Sequence, residues 1–297
     1  MKRLLKLTLL CLAILVALVL ASCGEDKAVK YVKYSDGTAE ATGNRDYIDA
    51  TSVTIGNHYK TYNVVKVLDN AFRGFERLES VTLGNQIDEI GKGAFEGCTI
   101  KHYTGPLKFL GSVIPLDNLV SVNLTDGRRL KNGYFKDIKS LEYVTLCESF
   151  DEIEENVFRG CSSLKSVQLP TELDELGAYA FEGCVLLEGV RVPVGISKLE
   201  EGVFSGCSSL KWIELSEKIA SIGAYAFHHC ESLERIQVPY KVRIIGKEAF
   251  YGCFSLNEAI FECPYNWIVL DERIGVADTN YVAKRLSVTT AEWIREY

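Results

Sequence analysis

Apolar residues return along this chain at a fixed interval. The run Phe158-Arg159-Gly160-Cys161-Ser162-Ser163-Leu164 continues through Val167 and Leu169 to Pro170. The same order of types restarts at Phe181, Phe204, Phe227 and Phe250, a step of 23 residues each time. Phe135 keeps the step, and so does the pair Phe72 and Phe95. A fixed period of roughly 20 to 29 residues marks a solenoid, in which each repeat is one coil stacked on its neighbours.

Within a coil the positions have distinct duties. Apolar pairs stand eight and five residues before the phenylalanine, as in Leu173/Leu176, Ile196/Leu199 and Ile219/Ile222. Apolar residues nine and eleven after it, such as Ile213 and Leu215, are spaced by two and share one face of a strand. Pro170, Pro193 and Pro239 follow at once and end that strand, because proline lacks the N–H a ladder needs. Gly91, Gly177, Gly223 and Gly246 mark a bend. The segment around each phenylalanine reads as a short helical turn. The expected coil has one parallel strand, a turn, a second extended piece and that corner. Its apolar residues are buried only by stacking, at about 1.5–3 kcal/mol for each large side chain.

The pattern Leu-x-x-Val-x-Leu-Pro followed by Leu-x-x-Leu-Gly-x-x-Ala-Phe-x-Gly-Cys resembles the bacterial leucine-rich repeats called BspA-like, also found in Treponema surface proteins. The resemblance covers residues 64–261 and implies a leucine-rich repeat solenoid of about nine coils. A parallel sheet is expected on one face, with extended pieces and short helical turns on the other. It implies a non-catalytic cell-surface binding or adhesion protein whose partner is a host or bacterial surface protein. The pattern departs at Leu107–Leu124, where a shortened coil puts Val113 in the phenylalanine position.

Outside the repeats the chain changes character. Residues 1–22 join Lys2, Arg3 and Lys6 to an apolar run from Leu7 to Leu20, shorter than a membrane span of about 20 residues and suited to a signal peptide. Leu20-Ala21-Ser22-Cys23 looks like a lipobox, which implies lipid on Cys23 and anchorage in the outer membrane. Gly24-Glu25-Asp26 resembles a surface-export signal of Bacteroidetes lipoproteins. Residues 23–63 are expected to form the anchor linker and N-terminal cap, with strands at Tyr31–Tyr34, Val53–Ile55 and Tyr59–Val67. Residues 262–297 are expected to cap the far end, with Asn280–Tyr297 a candidate helix and Trp267 and Trp293 in the cap core.

Charge and chemistry narrow the function. The full chain carries net charge −7. Loss of the three leader cations takes it to −10, a surface that does not suit nucleic acid or anionic lipid. Cys98, Cys161, Cys184, Cys207, Cys230 and Cys253 form one column, in which Phe75, Leu116 and Ile138 stand elsewhere. Cysteine exchanging with large apolar residues reads as a reduced, buried hydrophobe. Disulfides are the alternative in an exported protein. Cys147 and Cys263 lie five coils apart, roughly 24 Å, and cannot pair with each other. No Cys-x-x-Cys pair, nucleophile elbow or phosphate loop appears, so neither a metal nor a cofactor is expected. His228-His229-Cys230 has the look of a ligand cluster, but His228 occupies a solvent position and Cys230 a core position. The acidic pairs Asp88-Glu89, Asp151-Glu152 and Asp174-Glu175 could form a calcium column and read more simply as a solvated edge.

The strand's outward residues carry the candidate site. Ile213 and Leu215 facing inward force Trp212 and Glu214 outward. One coil to either side stand Arg191 and Arg235, with Gln237 and Tyr143 in the same outward rows. Aromatic and Arg side chains are enriched in binding hot spots. Against this, Trp212 could cover its neighbours or lie under a fold-back of a cap. Exposed aromatics such as Trp212 and Tyr143 also admit a second function: a glycan- or partner-binding accessory lipoprotein of a nutrient-uptake complex.

Overall fold

The computed structural model describes residues 26–263, 267–269, 272–274, 279–290 and 292–295. The leader, Cys23, Gly24, Glu25 and the side chain of Trp267 lie outside the described residues. The chain divides after Thr99 into two compact units. No helix among the described residues is long and apolar enough to cross a membrane.

The first unit opens with an antiparallel hairpin, Val29–Lys33 against Thr38–Gly43. Thr38–Gly43 then runs parallel to Tyr62–Val67, which runs parallel to Glu89–Ile90. His58–Tyr59 adds an antiparallel edge. Ser52–Ile55 pairs in parallel with Ser80–Leu83. The strand Thr38–Gly43 was not among those the apolar pattern suggested. Its inward residues are Ala39 and Ala41, both fully buried, and alanine carries little strand preference. Phe72 and Phe95 stack with ring centroids 5.3 Å apart.

The second unit is a parallel β-solenoid with two ladders. The longer ladder contains His102–Pro106, Ser121–Asp126, Tyr143–Leu146 and Ser166–Gln168 in parallel register. Gly189–Arg191 pairs with Trp212–Glu214, and Arg235–Val238 with Glu258–Phe261. Strands end just before Pro170, Pro193 and Pro239, as the missing N–H requires. The second extended pieces form their own ladder, Arg129–Leu130, Glu152–Ile153 and Glu175–Leu176, continued by Lys198–Leu199, Ser221–Ile222 and Ile244–Ile245. Between the ladders Phe135, Phe158, Phe181, Phe204, Phe227 and Phe250 stack one on the next, with centroids 5.0–5.6 Å apart.

The corner around each phenylalanine is a chain of turns rather than a helical turn. Arg159 N–H donates to Asn156 O and Cys161 N–H to Phe158 O, each three residues back. The alternate donors, Asn156, Phe158 and Gly160, reach the carbonyls of Ala178, Ala180 and Glu182 on the next coil. A helix would keep all these N–H groups to itself. Here half of them join coil to coil. The alternation needs left-handed residues two before and two after the phenylalanine, as at Asn156 (φ 58°) and Gly160 (φ 72°).

Two local expectations are corrected. In the shortened coil Val113 is only half-buried, and the core is filled by Phe109, Leu110 and Ile114. That coil steps only 19 residues, from His102 to its partner Ser121, too few for a full corner. At the far end the helix spans Thr279–Val288 and stops there. Trp293–Arg295 is instead a strand, antiparallel to Ile244–Ile245 and to Trp267–Val269. Trp293 is buried against Phe261, while Tyr281 and Ile294 are exposed. An antiparallel strand over the last coil occupies ladder groups that would otherwise pair with another chain.

Candidate functional site

The outward face of the longer ladder brings the candidate residues into two rows. Gly189 is the register partner of Trp212, and Arg191 that of Glu214. Trp212 is 40% exposed, so the alternation does turn it to solvent. Ile213 and Leu215 behind it are half-buried. The indole does not stand alone. A Cβ placed on Gly189 would overlap indole atoms Cε2, Nε1 and Cζ2. The ring therefore covers the bare backbone of the neighbouring strand.

The flanking arginines pair with carboxylates one coil onward. Arg191 Nε donates to Glu214 Oε2 at 2.8 Å, and Arg235 Nε lies 3.2 Å from Glu258 Oε2. Gln237 Nε2 donates to Glu262 Oε1 at 2.6 Å. Tyr143, 36% exposed, sits three coils from Trp212 beneath the Lys165 ammonium, 5.7 Å from its ring centroid. Trp212, Arg191, Glu214 and Arg235 thus lie on adjacent strands, and Tyr143 is separated from them by the coil of Ser166. The face is a planar aromatic among oriented, paired charges. Further along the same ladder His102 Nδ1 lies 2.8 Å from Ser121 Oγ, its register partner.

Gly189 is the residue sequence reasoning overlooked. The available signal was a bulky aromatic 23 residues from a glycine. It recurs in three more places. Phe150 lies over Gly127, Tyr179 over Gly202 and His229 over Gly252.

The remaining chemistry resolves into packing and ion pairing. Cys161, Cys184, Cys207, Cys230 and Cys253 are buried, and each thiol donates to the carbonyl of the phenylalanine 26 residues earlier. For Cys184 that acceptor is Phe158 O, 3.2 Å away. Burial pushes the thiols up, Cys98 to about 11 and Cys161 and Cys253 to about 12. Asp151 lies 2.6 Å from Arg128 and Glu152 lies 2.6 Å from Arg129, so this part of the acidic row is an ion-paired edge. His228 lies 3.6 Å from Glu248, and His229 lies 3.7 Å from Glu231. Burial and then the neighbouring His229 lower the His228 pKa. Among the described residues no group of three or more His, Cys, Asp or Glu side chains is placed to hold a metal ion.

Solved structures that resemble the chain include a leucine-rich repeat protein of T. pallidum, 26% identical over 78% of this chain and 91% of that one, with a TM-score of 0.38. Another is a leucine-rich repeat protein from Bacteroides ovatus, 23% identical over 80% and 88%, with a TM-score of 0.28. A leucine-rich cell surface protein from Faecalibacterium prausnitzii is 22% identical over 81% and 94%, with a TM-score of 0.29. No curated protein matches the chain. The family model described as the BspA type leucine-rich repeat region matches residues 48–111 and 128–260 in six copies. That is more than half of the sequence, and its repeats are the coils described above: the chain belongs to the BspA-type leucine-rich repeat family.

Proposed function

We propose that this protein is a non-catalytic binding protein, anchored through lipid on Cys23 in the outer membrane and displayed to host or bacterial surface proteins. The observation that carries the reading is the exposed Trp212, held against Gly189 on a rigid parallel strand. A ring already fixed in place loses little conformational freedom when a partner covers it. Arg191 and Glu214 beside it, and Arg235 one coil on, offer directed hydrogen bonds at the rim. Membership in a leucine-rich repeat family supports a protein partner in general.

The exposed aromatics Trp212 and Tyr143 favour a second reading, in which the same face binds glycan for a nutrient-uptake complex. Pyranose rings stack on aromatic faces as protein side chains do. A host-protein array and a glycan array, probed side by side with the mature protein, separate the two. Protein binding that weakens at least tenfold in Arg191→Ala and Arg235→Ala supports the first. Glycan binding alone supports the second. Binding of either kind that both variants leave unchanged removes this face from the function.

A further inference from the structure

The mature chain is acidic as a whole, but its first described residues reverse the sign. Lys27, Lys30 and Lys33 stand within seven residues, all exposed. They surround a concavity with Tyr31, Tyr59 and Asp26. Tyr31 stacks on Tyr59 at 4.2 Å between centroids. The ammonium groups of Lys33 and Lys60 each lie 5.3 Å from the Tyr59 centroid, so two cations are held at one ring. The acid among them is otherwise engaged. Asp26 accepts from Ala28 N–H at 2.9 Å and from Thr54 N–H at 2.7 Å. Lys30 makes one loose exposed pair, 3.8 Å from Asp46. Val32 and Tyr34 on the same hairpin are 41% and 43% exposed.

We propose that this edge, Val29–Lys33 with the turn at Tyr59-Lys60, is a docking surface for phospholipid headgroups. The proposal rests on the lipid at Cys23. Three residues separate Cys23 from Lys27, so the four steps between them span at most about 14 Å of chain. A lipid on Cys23 therefore keeps Lys27 within about two Debye lengths of the headgroup phosphates, a Debye length at physiological salt being about 8 Å, and Lys30 and Lys33 follow on the next strand. At that distance a tether replaces diffusion, and weak contacts count. Lysine ammonium groups suit phosphate, and tyrosine rings suit the boundary between headgroup and acyl chain. Any acidic surface of the protein is repelled from the same phosphates, so the first unit meets the membrane through this edge.

The test uses the purified mature lipoprotein reconstituted in vesicles. One set contains phosphatidylethanolamine with phosphatidylglycerol, the other phosphatidylcholine alone. A water-soluble amine reagent is applied and labelling is read by peptide mass spectrometry, with Lys165, Lys211 and Lys247 as internal references. Lys27, Lys30, Lys33 and Lys60 should label about five-fold more slowly on anionic vesicles, with the protection removed by about 0.5 M salt. The reference lysines should not change. A Lys30→Ser/Lys60→Ser variant should lose the protection of Lys27 and Lys33. Equal labelling on both vesicles overturns the docking surface, and so does protection that salt does not touch. Intact mass of the same sample reports the lipid. A lipidated protein with unprotected lysines overturns the docking alone, whereas a protein without lipid on Cys23 overturns the anchor as well.

Discussion

The indole of Trp212 fills the space in which its register partner Gly189 would carry a side chain. Read from sequence, Trp212 is an outward residue that either meets a partner or covers its neighbours. In the folded strand it shields an uncovered length of backbone, an arrangement in which an aromatic compensates for a strand glycine. Trp212→Ser should therefore cost about 1–2 kcal/mol in denaturant unfolding, more than an ordinary surface change. Replacing both partners with threonine should recover most of that loss, because a β-branched pair covers itself. If the single variant is neutral, the ring contributes nothing to the strand beneath it. The double variant is also the right control for binding, since it removes the indole without the stability loss.

The thiol column has a hydrogen-bond partner that its sequence does not disclose. Cys184 donates to Phe158 O. On sequence alone Cys184→Ser puts a hydroxyl where no partner is evident. The carbonyl makes serine the milder change, because serine keeps a donor and alanine leaves Phe158 O unsatisfied beside a cavity. Cys184→Ala should cost about 1–3 kcal/mol and Cys184→Ser no more than that. A serine variant less stable than the alanine variant would show that the carbonyl does not accept.

The same thiols set an alkaline limit. Their pKa values lie above the unfolded value of 9.0, with Cys161 and Cys253 at about 12 through burial. A raised pKa means the folded chain keeps protons that the unfolded chain releases. Stability is thus intact below pH 9 and falls from there towards 12. With five buried thiols the slope approaches roughly 7 kcal/mol per pH unit once all five ionise in the unfolded chain. Unfolding midpoints between pH 8 and 11 test it. A flat profile would mean that the thiolates are accommodated in the fold.

Charges along the coils alternate at the repeat period. Lys165 lies 2.6 Å from Glu142, Lys211 lies 3.6 Å from Glu188, and Arg159 lies 2.7 Å from Glu182, each pair 23 residues apart. Lys165→Glu places a third acid between Glu142 and Glu188. Such exposed rows are worth little singly, so the loss should be about 0.5–1 kcal/mol at low salt and should shrink at 1 M salt. An effect that high salt leaves intact would point to packing of the lysine stem instead.

The left-handed corner positions give a cleaner backbone test. Gly183 has φ 73°, and a Cβ there would meet only Gly160 atoms, at 3.7 Å or more. Space is available, so Gly183→Ala should lose about 1–2 kcal/mol from backbone strain alone. Tyr179 and His229 take the same backbone region, at φ 57° and 55°, and their rings lie over Gly202 and Gly252. A neutral Gly183→Ala would mean that the corner relaxes.

The repeat period, the core columns, the outward turn of Trp212 and the prolines at strand ends were legible from residue types alone. Each depends on one coil meeting an identical neighbour, so the period in sequence is also the contact in space. Gly189 with Trp212, and Lys165 with Glu142, were legible by the same rule once the 23-residue step was applied to exposed positions. What only the tertiary structure decided is where the pattern breaks. Ile114 rather than Val113 fills the 19-residue coil, because a shortened chain reaches the core at a different residue. Trp293–Arg295 is a strand because Ile244–Ile245 offers it an open edge, a partner no local propensity records. The corners are turns rather than helix for the same reason: half of their N–H groups have carbonyl partners on the next coil, and only stacking brings those carbonyls within reach.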